Sequence, residues 1–215
     1  DIAIAKLRPL ALENMLAELR KMQHHGKPIK ESTVQKYLTV VSAVLSDAKR
    51  NEIIQKNPAR MINLPQCEQS KQFVPTDEEA QLLLTEFCNL PLTYETYYVL
   101  AMFTGCRRGE LCALKWSDVT IYDNYDWATI NISRPRSSVP GNGVVEGSTK
   151  SGRSRTVAVD SDIAGLIACL YTEKEREANE RGEELSEYIF TNEHGKPIHP
   201  DTFSKTLRKI YDSIG

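Results

Sequence analysis

The chain has 215 residues, 40% of them hydrophobic and 26% charged, which allows one or two folded domains with a buried core. Twenty-seven Lys and Arg against 29 Asp and Glu leave a formal net charge of −2, and no apolar run approaches the roughly 18 residues of a membrane span. The cysteines Cys67, Cys88, Cys106, Cys112 and Cys169 are odd in number and form no C-x-x-C, which speaks against a disulfide framework or zinc knuckle and for a reducing cytoplasm. The first residue is Asp1, so the sequence reads as a fragment, and missing targeting signals carry little weight.

Pro9 opens a first predicted helix, with Leu10, Met15, Leu16, Leu19 and Met22 as its apolar stripe up to the turn His25-Gly26-Lys27-Pro28. Ser32 and Gln35 have the form of a capping box. Val34, Tyr37, Leu38, Val41, Leu45 and Ala48 then repeat at helical spacing. Asn57-Pro58 marks a break before a short helix through Met61-Ile62, and residues 65–75 read as a linker. The expected division is a helical domain over 1–65, a linker over 66–74 and a mixed domain over 75–215.

The second part starts with another capping-box pair, Thr76 and Glu79. Apolar residues from Tyr97 to Phe103 predict a buried helix stopped near Thr104-Gly105, and a short helix follows from Arg107 to Leu114. Val119, Ile121, Trp127, Thr129, Ile130 and Ile132 read as two strands joined at Asp123-Asn124-Tyr125-Asp126. Gly141-Asn142-Gly143 and Ser151-Gly152 are turn signals around a basic strand pair ending Thr156-Val157-Ala158-Val159. Ser161 or Asp162 is expected to cap a long charged helix to about Arg181, Tyr188-Ile189-Phe190 to form a short strand, and Asp201 to begin a last amphipathic helix. The fold class is therefore mainly α with a small antiparallel β-sheet.

Charge is unevenly spread. Residues 1–65 carry 11 Lys and Arg against 6 Asp and Glu, a balance of +5, and the remainder carries −7. Within the acidic part, Arg134, Arg136, Lys150, Arg153 and Arg155 face only Glu146 over 134–155. Two local basic fields suffice for a polyanion partner, although a plain solvated surface has the same composition.

The densest signal runs from Thr104 to Val119. Gly105 permits a sharp turn between helices. Arg107 then stands at a helix start, where backbone N–H groups favour an anion and a guanidinium can grip a phosphate through two hydrogen bonds. Glu110 lies three residues on, placed either to brace an arginine or to pair with Lys115. Leu111, Leu114 and Trp116 read as core. This stretch closely resembles the first arginine box of the tyrosine recombinases, the phage and transposon integrases, of the form T-G-x-R-x-x-E-[LI]-x-x-L-x-W-x-D-[ILV]. Thr104, Gly105, Arg107, Glu110, Leu111, Leu114, Trp116, Asp118 and Val119 meet its fixed positions.

The resemblance extends along the chain. Residues 1–65, with Asn57-Pro58-Ala59 near their end, resemble the later helices of the helical core-binding (SAM-like) domain that clamps DNA; residues 74–215 resemble the first two-thirds of the α+β catalytic domain. Ser148 to Val157, with Lys150 near the turn, resembles the family's β-hairpin and its catalytic lysine, although by itself Lys150 only caps an exposed turn. The longer insert from Pro135 to Val145 is similar to the variable hairpin loops of integrases.

The resemblance implies an enzyme that cuts and rejoins double-stranded DNA through a 3′-phosphotyrosine, with no metal and no other cofactor. Arg107 would hold the scissile phosphate, supported by Glu110, and Lys150 would protonate the departing 5′ oxygen. Thr33, Lys36, Lys49, Arg153 and Arg155 are the expected DNA contacts, and the parent protein would assemble as a tetramer on DNA. None of the four histidines, His24, His25, His194 and His199, has Arg three residues later. The family's His-x-x-Arg pair and nucleophilic tyrosine are therefore expected beyond Gly215, and the isolated chain is expected to be inactive. The rival readings are a DNA-binding regulator on an integrase scaffold, a metal nuclease using Glu110, Asp118, Asp123 and Asp126, and a plain helical interaction module.

Overall fold

The computed structural model describes residues 3–24, 26–64, 74–139, 143–147 and 154–214, and the chain falls into two compact units, Asp1–Phe73 and Val74–Gly215. Unit 1 is built on α1 (Pro9–Lys21) and α2 (Glu31–Arg50), joined through two-residue strands β1 (Gln23–His24) and β2 (Lys27–Pro28). Pro9 supplies the first-turn φ of α1 without the N–H that the turn leaves unused. Leu12 and Leu16 of α1 are buried with Val34, Leu38, Leu45 and Ala48 of α2, whereas Leu10 and Met22 of the predicted stripe stay exposed.

The Ser32–Gln35 capping box does not form. Thr33 and Val34 N–H groups both bond the Lys30 carbonyl, so α2 starts at Glu31 and Ser32 lies inside the first turn, where it cannot cap. Glu31 instead receives Arg20 Nε at 2.9 Å and Nη2 at 2.6 Å, tying the two helices.

A 3₁₀ turn, Pro58–Met61, closes the unit. Asn57 holds it. Its buried amide donates to the Ser42 carbonyl at 2.9 Å and Ser46 Oγ at 2.9 Å, and its Oδ1 accepts the Ala59 N–H at 2.9 Å. The linker expected over 66–74 lies almost wholly outside the described residues.

Unit 2 begins with α3 (Asp77–Cys88), on whose first turn the Thr76–Glu79 capping box is formed in both directions. Next comes α4 (Leu92–Thr104); Tyr97, Tyr98 and Leu100 are buried, but Met102 and Phe103 at its end are exposed. A one-turn α5 (Arg108–Leu111) leads to β3 (Val119–Tyr122) and β4 (Trp127–Ile132), followed by β5 (Arg136–Val139), β6 (Gly143–Glu146) and β7 (Arg155–Asp160).

The sheet order is β3-β4-β7, antiparallel throughout, and β5-β6 is a separate ribbon. The basic segment ending in Val159 is thus not a strand pair of its own. Its last strand adds to β4 in the register Ala128↔Val159 and Ile130↔Val157, which turns Ala128, Ile130, Ile132 and Val159 into the core.

Helix α6 (Ser161–Arg181) is capped not by Ser161 or Asp162 but by Asp160, whose Oδ1 accepts the Ile163 N–H at 3.2 Å. Tyr188-Ile189-Phe190 forms no strand; Tyr188 makes a single bridge to Lys115. The last helix, α7 (Pro200–Ile214), is locked on α4 by aromatic packing. The Tyr97 and Phe203 rings stack at 3.6 Å, and the Tyr98 hydroxyl donates to the Phe203 carbonyl at 2.7 Å. No helix among the described residues is long and apolar enough to cross a membrane.

Asn57→Ala should weaken unit 1 by about 2 kcal/mol, because it removes a cap and the tie from the 3₁₀ turn to α2. Native-state hydrogen exchange is expected to accelerate at the α2 and 58–61 amides and to stay unchanged in α4, α6 and β4.

Candidate functional site

Between α4 and α5 the chain changes direction within three residues. Gly105 takes φ 61° and ψ 21°, the left-handed region that ends α4 and that a Cβ would penalise. The Cys106 N–H donates back to Thr104 Oγ1 at 3.3 Å. Arg107 is extended, with φ −66° and ψ 149°, and occupies the cap position of α5. That helix stops at Leu111, well short of Leu114, and the Arg107 N–H is already taken by Glu110 Oε2 at 2.9 Å. A single turn has little dipole to offer an anion. The expected helix-start contribution is therefore small, and what Arg107 offers to the surroundings is its side chain, 65% exposed.

Glu110 braces Arg107 rather than pairing with Lys115. Its side chain is only 2% exposed. Oε1 accepts Arg107 Nη1 at 3.0 Å, and Arg155 binds both carboxylate oxygens, Nη1 to Oε1 at 3.1 Å and Nη2 to Oε2 at 2.7 Å. The Arg155 hydrogen bonds, followed by those from Arg107, hold the Glu110 carboxyl down to about 2. The result is a row: one buried carboxylate between two guanidinia, with Arg155 at the head of β7 and Arg107 at the entry of α5. Lys115 goes elsewhere, to Glu187 Oε2 at 2.9 Å. Burial pushes the neighbouring Cys106 thiol up, which keeps it protonated.

Other members of the box are structural. Asp118 Oδ2 accepts the Lys115 N–H at 2.9 Å and Arg134 Nη2 at 2.6 Å. Leu111 and Leu114 are buried, and Trp116 is half-buried against Tyr171. Gly109 has a reason that its position in the pattern did not reveal. A Cβ there would meet the Arg136 carbonyl oxygen of β5 at 2.7 Å, so the ribbon lies directly on α5. Arg136 also stacks over the Tyr188 ring at 4.8 Å, Lys115 Nζ approaches the same ring at 5.0 Å, and the Tyr188 hydroxyl donates to Glu146. Tyr188 thereby fastens the base of the ribbon.

Lys150 and Arg153 lie outside the described residues. In unit 1, helical geometry sets Lys49 about 220° around α2 from Lys36, so the two address different surroundings; Thr33, in the first turn, is half-buried. Among the described residues no three His, Cys, Asp or Glu side chains gather as a metal-ligand group. Of the carboxylates considered as ligands, Glu110 and Asp118 are each held by arginine. His194 is exposed beside Glu193, and His199 Nδ1 accepts the Asp201 N–H at the start of α7 at 3.2 Å.

Comparison with known proteins gives the same outline. The sequence model of the phage integrase family matches residues 74–215. The ICEBs1 integrase of Bacillus subtilis (strain 168) is 24% identical over 182 residues, covering 84% of this chain and 48% of the relative. The chain thus spans about half the length of that curated relative. The Tn1549 transposon integrase in complex with transposon right end DNA superposes with a TM-score of 0.78 at 14% identity, covering 99% of this chain and 67% of that one. A lambda integrase dimer bound to a COC′ core site gives 0.60 at 17% identity, covering 97% and 63%. At such identities the likeness establishes the fold: mainly α, with small antiparallel sheets.

Glu110→Gln should cost about 2 kcal/mol at neutral pH, after discounting the half-exposed arginines for solvent screening. The Glu110 carboxyl is depressed in the folded state, so its stabilisation is present above the ordinary 4.5 and is lost as pH falls from there towards about 2. Chemical denaturation across pH 7 to 2 should show the wild type and Glu110→Gln converging in acid.

Proposed function

The chain belongs to the phage integrase family, and on that premise we propose that it is part of a site-specific recombinase that cleaves and rejoins double-stranded DNA through a 3′-phosphotyrosine. The observation that supports this best is the pairing of a water-excluded Glu110 with a largely exposed Arg107. One face of the guanidinium is spent on Glu110, which fixes its orientation, and the rest remains for an oxyanion. Arg107 holds the scissile phosphate and stabilises the charge that develops on it. Glu110 and Arg155 position Arg107 by closing the carboxylate from its other side. Lys150 supplies the proton to the departing 5′ oxygen.

The second arginine belongs to a His-x-x-Arg element that these 215 residues do not contain, and the nucleophilic tyrosine is a separate group that follows that element. Because such groups act as a unit, the isolated chain binds DNA without cutting it. Residues 1–65 serve as the helical domain that clamps the duplex, and the assembly on DNA is a homotetramer. The arginines neutralise the charge on the phosphate, the role a metal would otherwise fill, and religation needs no nucleotide, since the phosphodiester energy is kept in the covalent link.

A salt titration of the chain with a labelled duplex should show binding that weakens by orders of magnitude between 50 and 200 mM salt, as counterion release requires. No binding at low salt would sink the proposal. On a suicide DNA substrate, denaturing electrophoresis should show no covalent adduct with the chain alone; an adduct would place the nucleophile among its nine tyrosines. In a protein that joins these residues to the His-x-x-Arg element and the tyrosine, Arg107→Ala should lower cleavage by at least about 10²-fold while keeping most of the DNA binding.

A further inference from the structure

Unit 1 carries a second cationic feature that the arginine box does not account for. A cleft of about 460 Å³ is walled by Ser46, Lys49, Arg50, Lys56, Asn57, Arg60 and Met61, with no Asp or Glu in its lining. Arg50 has a partner, Asp47 at 3.2 Å, on the exposed end of α2. Among the described residues, no ion pair or hydrogen bond engages the side-chain nitrogens of Lys49, Lys56 or Arg60. The wall is preformed. Asn57 is 6% exposed; its amide bonds to Ser42 and Ser46 of α2 and its Oδ1 holds the Ala59 N–H of the 58–61 turn, so the Lys56–Arg60 side of the cleft stands at a set distance from Lys49 and Arg50.

Four positive side chains around one concavity repel one another. Their field is focused by the low-dielectric walls, and an anion relieves it. A small-molecule pocket of this size is usually lined by apolar and aromatic side chains; among the described residues that line this one, Met61 and the aliphatic stems of the cations are the apolar part, no ring takes part, and four charged heads stand around it. The shape also argues for a long ligand. A second depression of about 480 Å³ runs beside Gln35, Thr39 and Ser42 of α2 and shares Ser46 with the cleft. Leu38, Ala43, Ala59 and Leu64 line the same depression, so the groove passes from cations to a mixture of small hydroxyl and apolar side chains along one helix.

We propose that this cleft grips the sugar-phosphate backbone of duplex DNA, with Lys49, Lys56 and Arg60 on phosphate oxygens and the strand continuing past Ser46 along α2. The assignment rests on the DNA-binding reading of the chain. It shifts the contact surface of unit 1 from Thr33 and Lys36 to the C-terminal end of α2 and the 58–61 turn.

The test uses the whole 215-residue chain and a fluorescent duplex, titrated at several chloride concentrations. Lys56→Ala/Arg60→Ala should bind about tenfold more weakly and should reduce the slope of log affinity against log salt by about 1.8, two phosphate contacts at about 0.9 each. Lys6→Ala/Arg8→Ala removes the same charge from two exposed residues ahead of α1 and should change the slope by less than half as much; an equal loss there would assign the effect to net charge and overturn the cleft. Wild-type binding with an unaltered Lys56→Ala/Arg60→Ala variant would overturn the cleft alone, whereas no wild-type binding at low salt would remove the DNA reading itself. Inorganic phosphate at matched ionic strength should displace the duplex no better than chloride; preferential displacement by phosphate would make the cleft a single-anion site instead. Lys56 and Arg60 are exposed, so circular dichroism should show both double variants folded.

Discussion

A carboxylate that is 2% exposed must have its charge answered inside the protein, because an unpaired buried charge costs about 3–5 kcal/mol. Glu110 is answered three times: by the Arg107 N–H, by the Arg107 guanidinium and by both nitrogens of Arg155. These partners lie on two separate pieces of the framework, the entry of α5 and the head of β7. Satisfying Glu110 therefore requires the Gly105 turn, the single turn of α5 and the first residue of β7 to be in place together. The outward guanidinium of Arg107 inherits that order. Without the carboxylate, a side chain with several rotatable bonds would sweep a wide arc; with it, only one side of the fork is left free.

The rest of unit 2 serves this arrangement at longer range. The β7 strand reaches Glu110 because it pairs with β4, and that register is fixed by Ala128, Ile130, Ile132 and Val159 facing the core. The inserted ribbon β5-β6 leans on α5 at Gly109, where nothing larger than hydrogen fits against the Arg136 carbonyl. Tyr188 then holds the ribbon through Arg136 and Glu146. Backbone bonds from Trp116 to Glu187 and from Ile189 to Leu114 stitch that segment beside the arginine box. Aromatic packing of Tyr97, Phe190 and Phe203 secures it from below.

The arginines and lysines divide by their partners. Arg20, Arg134, Arg155 and Lys115 are used inside the fold, each on a named carboxylate. Arg107 is shared between the fold and the surroundings. Lys49, Lys56 and Arg60 have no acidic counterpart on their cleft. Net charge hides this division, since a chain with a formal charge of −2 still concentrates unanswered positive charge in particular places.

What the sequence determined by itself was local. Apolar spacing placed α2, Thr76 and Glu79 placed the start of α3, and Thr104 to Val119 identified the box, because each of these depends on residues within one or two turns of each other. Pro58 after Asn57 likewise announced a break. The tertiary structure decided whatever joins distant residues. Arg155 reads as one more surface cation until β7 pairs with β4 and brings it across 45 residues to Glu110. The choice between Arg107 and Lys115 for Glu110 depended on where Glu187 would lie, 72 residues beyond Lys115. Asp160 displaced Ser161 and Asp162 as the α6 cap because strand pairing carried β7 through residue 160. Lys56 and Arg60 gained meaning only when Asn57 folded their turn back onto α2. Short-range periodicity encodes faces and ends; the partner of a charge is set by the packing of the chain, which no local window contains.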